Sequence, residues 1–209
     1  MSDNQVSGAD RLLELIVVLL LGITTVGTAW CGFQATRWNG QSGDLSGVAS
    51  KHYVEGARLF GLATQRVSYD STVVARYAEI TQGGNTELQK FYRQSVVRPE
   101  FLPVLDRWQA AVRSGGSAVG VFEDKAYLAA QFADYQKTVT AAQQATEAGQ
   151  QAGEVADGYV RTTILLAVAL FFAGVTSSFR YRLARLLLLM AATGTVALAA
   201  ARIAGLPIT

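Results

Sequence analysis

The apolar positions follow two different patterns along the chain, and the change between them sets out the fold. Residues 12–33 (LLELIVVLLLGITTVGTAWCGF) are apolar on every face, with Glu14 near one end as the single charge. About 20 residues rising 1.5 Å each cover a hydrocarbon core of about 30 Å, so this run predicts a membrane-spanning helix. Residues 160–179 and 186–206 repeat the pattern and are separated only by Arg180-Tyr181-Arg182-Leu183-Ala184-Arg185. That arrangement predicts a tight transmembrane hairpin.

Between the spans, residues 34–159 carry spaced rather than continuous apolar positions, and alanine and glutamine outnumber clustered β-branched residues. The region therefore reads as nearly all helix. An outgoing arm shows Tyr53, Ala57, Phe60, Ala63, Val67, Val74 and Tyr77 at three-and-four spacing. A returning arm shows Leu128, Phe132, Tyr135, Val139, Ala142, Ala145, Gly149, Ala152 and Ala156, with no proline before the second span. Gly40, Gly43 and Gly47 either lie within the outgoing helix or mark a break, with Asp44 as a new cap. If the arms pair antiparallel, Gly43, Gly47 and Gly149 bring them close at the membrane-proximal base and bulkier residues spread them farther out.

Gly83-Gly84-Asn85 ends the outgoing arm, because consecutive glycines and an asparagine suit turn conformations. Two short helices follow: one capped at Thr86 and reaching Val97, another opened by Pro99 and running through Trp108 to Val112, with Pro103 bending or delaying its start. Residues 114–121 (SGGSAVGV) connect back to the returning arm, which Glu123 and Asp124 open. The expected fold is an all-α membrane protein. Its order is a cytoplasmic tail at 1–11, spans at 12–33, 160–179 and 186–206, a helical hairpin with a small cap at 34–159, a basic cytoplasmic loop at 180–185 and a tail at 207–209.

Charge sets the orientation. Arg180, Arg182 and Arg185 lie together without an acid and Arg11 precedes the first span, so the positive-inside bias puts both in the cytoplasm and the middle domain outside. Trp30, Phe33, Trp38 and Tyr159 then fall near the outer interface. A removable signal peptide would need a shorter apolar core behind a basic leader; here Arg11 is the only basic residue before the run, and an uncleaved anchor is expected. The net charge of +2, with no basic stripe outside the hairpin loop, points away from nucleic acid.

Three segments, TAWCGFQATRWNGQ at 28–41, RPEFLPVLDRWQA at 98–110 and YVRTTILLAVALFFAGVTSSFR at 159–180, occur in an order that resembles a widespread family of bacterial multi-pass membrane proteins. The resemblance implies an inner-membrane protein with the same helical middle and supplies no catalytic residue or substrate. Where such proteins often carry a proline-phenylalanine pair before the returning helix, this chain has Gly120-Val121-Phe122.

Candidate chemistry is sparse. His52 is the only histidine and Cys31 the only cysteine, which excludes histidine-pair and cysteine-based metal sites. No phosphate-cradling glycine signature and no nucleophile elbow occur, so neither a cofactor nor an enzymatic activity is expected. Asp70 lies near the apolar stripe as a buried partner for an arginine, with Arg66 the local candidate. Small-residue ridges at Thr24, Thr28 and Gly32, and at Ala169, Ala173 and Ser177, suit close helix packing. Phe101, Leu105, Asp106, Arg107 and Trp108 on the cap are the candidate partner contact; for the aromatic and aliphatic members burial against Phe91, Tyr92 and the arm tips is the favoured reading, because aromatics at helical spacing usually belong to a core. The expected function is a non-enzymatic membrane interaction or scaffold protein, with a homo-oligomeric channel or transport subunit as the alternative. Expected partners are the lipid bilayer and either further copies or another membrane protein.

Overall fold

A computed structural model describes residues 8–115, 120–179 and 181–208. Among them every regular element is helical: α1 (Gly8–Gln82), α2 (Thr86–Phe91), α3 (Leu102–Arg113), α4 (Lys125–Thr176) and α5 (Arg182–Ala204). Three of these, α1, α4 and α5, are long and apolar enough to cross a membrane. α1 and α4 pack antiparallel within each of two units, and in the second the short helices cap them. The glycines at 40, 43 and 47 do not break α1. Contacts divide the chain into one unit of Met1–Gly47 with Ala145–Thr209 and another of Val48–Gln144.

In the first unit, Cys31, Ala35, Tyr159, Leu166 and Ala199 form the core, flanked by Trp38, Val155, Ile203 and Leu206. Its helices meet through small side chains: Ala169, Ala173, Ala192 and Ala199 have no exposed surface. Buried threonines satisfy their own hydroxyls, Thr162 donating to the Gly158 carbonyl at 2.8 Å and Thr176 to that of Phe172 at 2.7 Å. A medium without water requires such internal partners. Only 11 % of the apolar stretch of α1 is buried within the protein, against 28 % for α4 and 17 % for α5, which leaves broad apolar surface for lipid. Beyond α5, Trp38 Nε1 and the Tyr159 hydroxyl both donate to the Pro207 carbonyl, at 3.2 and 3.0 Å. Leu206 seats on Gly158, where a β-carbon would come within 2.9 Å of it.

The arm bases also belong to this unit. Ser42 donates its hydroxyl to the Gly149 carbonyl at 2.7 Å, and a β-carbon at Gly149 would lie 3.4 Å from Leu45 Cβ and from the Ser42 carbonyl. Close approach therefore rests on Gly149 opposite Ser42 and Leu45. Gly43 and Gly47, expected to share that role, are instead exposed, and a β-carbon added at either would meet nothing within 4 Å. Here the side of α1 turned to α4 carries Ser42 and Leu45.

In the second unit the buried face of α1 runs at heptad spacing through Ala49, Gly56, Ala63, Asp70 and Tyr77. This seam differs from the expected one. Ala63, Val67 and Tyr77 are on it, but Tyr53 and Ala57 are exposed, and Phe60 lies at the edge against Phe132 and Tyr135, with ring centroids 5.6 and 5.3 Å away. Nearer the base the contact line is made of small residues, Ala49, Gly56 and Ala63, and the Phe60 ring stands at its flank. Farther out, Val67, Val73, Tyr77, Val97, Phe101, Leu105, Val121 and Tyr127 build the cap core.

Local sequence explains the cap. Gly84 takes a left-handed φ of +69° and ends α1. Asn85, rather than Thr86, caps α2, its side chain accepting from Leu88 N at 3.0 Å. α2 widens into a π turn at Tyr92–Val96, and Pro99 holds Arg98 extended before a 3-10 turn at Pro99–Phe101. α3 follows with Pro103 in its first turn, where a missing N–H costs nothing. Asp124 caps α4 by accepting from Tyr127 N at 3.0 Å.

Candidate functional site

A polar cluster centred on the buried Asp70 lies in the cap. Asp70, 1 % exposed, receives both arms of the Arg98 guanidinium, Nε to Oδ1 at 2.9 Å and Nη2 to Oδ2 at 2.5 Å, and also the Tyr127 hydroxyl at 2.5 Å. Arg98 Nη2 also donates to Gln131 Oε1 at 3.5 Å. The expected buried pair of Asp70 with an arginine is present, but the partner is Arg98 and not Arg66, which is exposed. Arg66 sits four residues from Asp70 on α1 and points away from the seam. Arg98 reaches Asp70 because the extended backbone before Pro99 brings it across the arm. The bond to Asp70 raises the Arg98 pKa, while burial, reinforced by that carboxylate, pushes the Tyr127 phenol well above its usual range. Arginine stays charged and tyrosine stays a donor. The cluster joins α1, the segment before α3, and α4, with its carboxylate oxygens all occupied, so its chemistry is that of a lock.

The predicted contact residues on the cap separate into two groups. Phe101 and Leu105 have no exposed surface, and the Phe101 ring packs edge-on to Tyr127 at 5.3 Å; they are core, not contact residues. A helix opened by proline must bury one face, and these are the positions that point at the arms. Asp106 and Arg107 are exposed, while Trp108 packs partly against the cap core. Asp106 pairs with Arg93 at 2.6 Å and Arg107 with Asp124 at 2.7 Å. Trp108 is half-buried and lines an open groove of 430 Å³, whose apolar wall is completed by Val74, Val104, Ala111 and Val121 and whose rim carries Arg107, Glu123, Asp124 and Lys125. Two N–H donors of the first turn of α4 and the Arg107 guanidinium hold the Asp124 carboxyl below its usual range, fixing part of that rim.

Among the packing residues proposed from sequence, Thr24 and Ala173 are fully buried and Thr28 half-buried. Thr24 and Thr28 donate to the carbonyls of Leu20 and Thr24, so their hydroxyls are used within α1. Gly32 and Ser177 are exposed, and Gly32 has open space beside it. The ridge on α1 thus turns inward at Thr24, Cys31 and Ala35 instead of running through Gly32. Arg185 and Glu14 line a shallow apolar groove with Val17, Ala173 and Ser177. Arg182 is exposed, and Arg180 lies outside the described residues.

Arg98 and Tyr127 were not foreseen from sequence as partners of Asp70, nor Gln131 as a partner of Arg98. Separations of 28 residues or more carry no periodic signal, although Tyr127 stands directly before Leu128, the first position of the expected returning stripe. No family model, curated protein or solved structure matches this chain.

Proposed function

We propose that the protein is a non-enzymatic membrane interaction or scaffold protein of the bacterial inner membrane, with the hairpin and its cap on the extracytoplasmic side. The observation that carries this reading is the outer face of α3: a half-buried tryptophan beside an apolar groove, rimmed by ion-paired side chains and mounted on a locked helical base. Interfaces draw their strength from aromatic anchors in pockets surrounded by polar rims. The basic hairpin loop supports the orientation. A homo-oligomeric channel would draw on the hydroxyl ridge of α1, but Thr24 is buried within its own chain and its hydroxyl is bonded to Leu20.

The test is Ala111→Glu, which places a charge in the groove from a position that is not itself part of the cap core. Membrane insertion and melting temperature stay at the wild-type level, and quantitative mass spectrometry of gently solubilised protein shows the loss of a membrane protein recovered with the wild type. Equal recovery of every partner by both proteins refutes the groove as the contact.

A further inference from the structure

A second cleft borders α3 on the side of α2 and is separate from both the Asp70 lock and the Trp108 groove. It has a volume of 440 Å³ and is lined by Tyr77, Lys90, Arg93, Asp106, Gln109 and Arg113. Three cations face one carboxylate. Arg93 takes Asp106 at 2.6 Å, and the Asp106 carboxyl is held low by that bond and also by the charge of Arg113. One acid therefore serves two guanidiniums. Lys90 is paired with Glu87 at 3.2 Å, but both side chains are largely in water, so exchange for another anion costs little.

The neutral lining is fixed in place. Gln109 Nε2 donates to the Tyr77 hydroxyl at 2.6 Å, and Gln109 Oε1 accepts from Arg113 Nη2 at 3.4 Å. Arg93 lies against both Asp106 and the Tyr77 phenol, which orients its guanidinium before any ligand arrives. The lining is mostly polar and the excess charge is positive, unlike the mixed rim of the Trp108 groove. The volume lies in the range of about 300–1,000 Å³ usual for small-molecule sites. Two planar guanidiniums at one cleft match the paired oxygens of a carboxylate or phosphate.

We propose that this cleft binds a small oxyanion, a carboxylate or phosphate group, held by Arg93 and Arg113 with Lys90 as the third charge. The site stands whether or not the Trp108 groove holds a protein. The full-length protein in uncharged detergent is titrated at constant ionic strength, sodium chloride being replaced by inorganic phosphate in one arm and by an acetylated Glu-Glu dipeptide amide in another. Calorimetry and melting temperature are read in both. Saturable binding with a rise in melting temperature is expected in at least one arm; phosphate alone identifies a free anion, and the dipeptide identifies a carboxylate carried on a chain. Arg113→Gln, at the exposed end of α3, weakens binding at least tenfold, and Arg58→Gln, which breaks an ion pair on the arm, leaves it unchanged. No saturable binding in either arm, or equal binding by wild type and Arg113→Gln, overturns the proposal. Arg93→Gln is the second variant, and its folding is checked by the melting temperature without ligand.

Discussion

Replacing Asp70 with asparagine tests the lock directly, because it keeps the shape of the side chain and removes the charge that three donors share. Asp70 is 1 % exposed and the Arg98 side chain 22 % exposed, so the variant leaves a guanidinium largely out of water beside a neutral amide. Breaking a buried pair by removing one partner costs about 3–5 kcal/mol. Since Arg98 retains some contact with water and asparagine still offers one oxygen, about 2–4 kcal/mol is expected here. The lock fastens the cap and not the spans, so the loss is local. Amide hydrogen exchange on the full-length protein in micelles reads it residue by residue. Amides of Leu102–Arg113 exchange roughly 30- to 800-fold faster in Asp70→Asn, from about 1.4 kcal/mol per factor of ten, while those of the spanning part of α4 keep their wild-type rates. Exchange in α3 within twofold of wild type sinks the lock. An equal acceleration in the spans refutes its local character.

Two further outcomes follow from the same contacts. Gly149→Val drives side-chain atoms into Ser42 and Leu45 and lowers the melting temperature, costing about 1–3 kcal/mol, whereas Gly47→Ala, facing open space inside a helix, raises stability by about 0.5–1 kcal/mol; thermal unfolding of the pair of variants checks the contrast. The raised Tyr127 phenol makes a stability contribution that is complete below the ordinary tyrosine value of about 10 and is lost as pH rises toward the folded value; alkaline unfolding of wild type loses stability above about pH 10 more steeply than Tyr127→Phe, and superimposable profiles contradict it.

The sequence carried the spans, both arms and the two cap helices, because each is written in local signals: unbroken apolar runs, helical periodicity, paired glycines and Pro99. Register was less legible. The expected face kept Ala63, Val67 and Tyr77 but missed Ala49 and Gly56, because Tyr53, Phe60, Val67 and Val74 repeat at the same seven-residue spacing four positions along, and their bulk marks that line more clearly than small residues mark the seam. Gly43 and Gly47 face open space because small size alone does not say which way a helical position points. The cap core was readable as an amphipathic pattern, but periodicity alone does not tell a buried Phe101 from an exposed one; only packing against Tyr127 decides it. Arg98 was hidden for a different reason, since its reach to Asp70 depends on a backbone path set by the π turn and Pro99.

The proposed role requires that the cap stand outside the bilayer on the extracytoplasmic side, with the outer face of α3 open to that compartment. Val112, 47 % exposed near the end of α3, is the site to test it. In a Cys31→Ser background, Val112→Cys is expressed in a bacterial inner membrane and spheroplasts are treated with a membrane-impermeant maleimide. Full labelling of intact spheroplasts is expected, with no increase after lysis. Labelling that occurs only after the membrane is broken contradicts the proposed sidedness and, with it, the role.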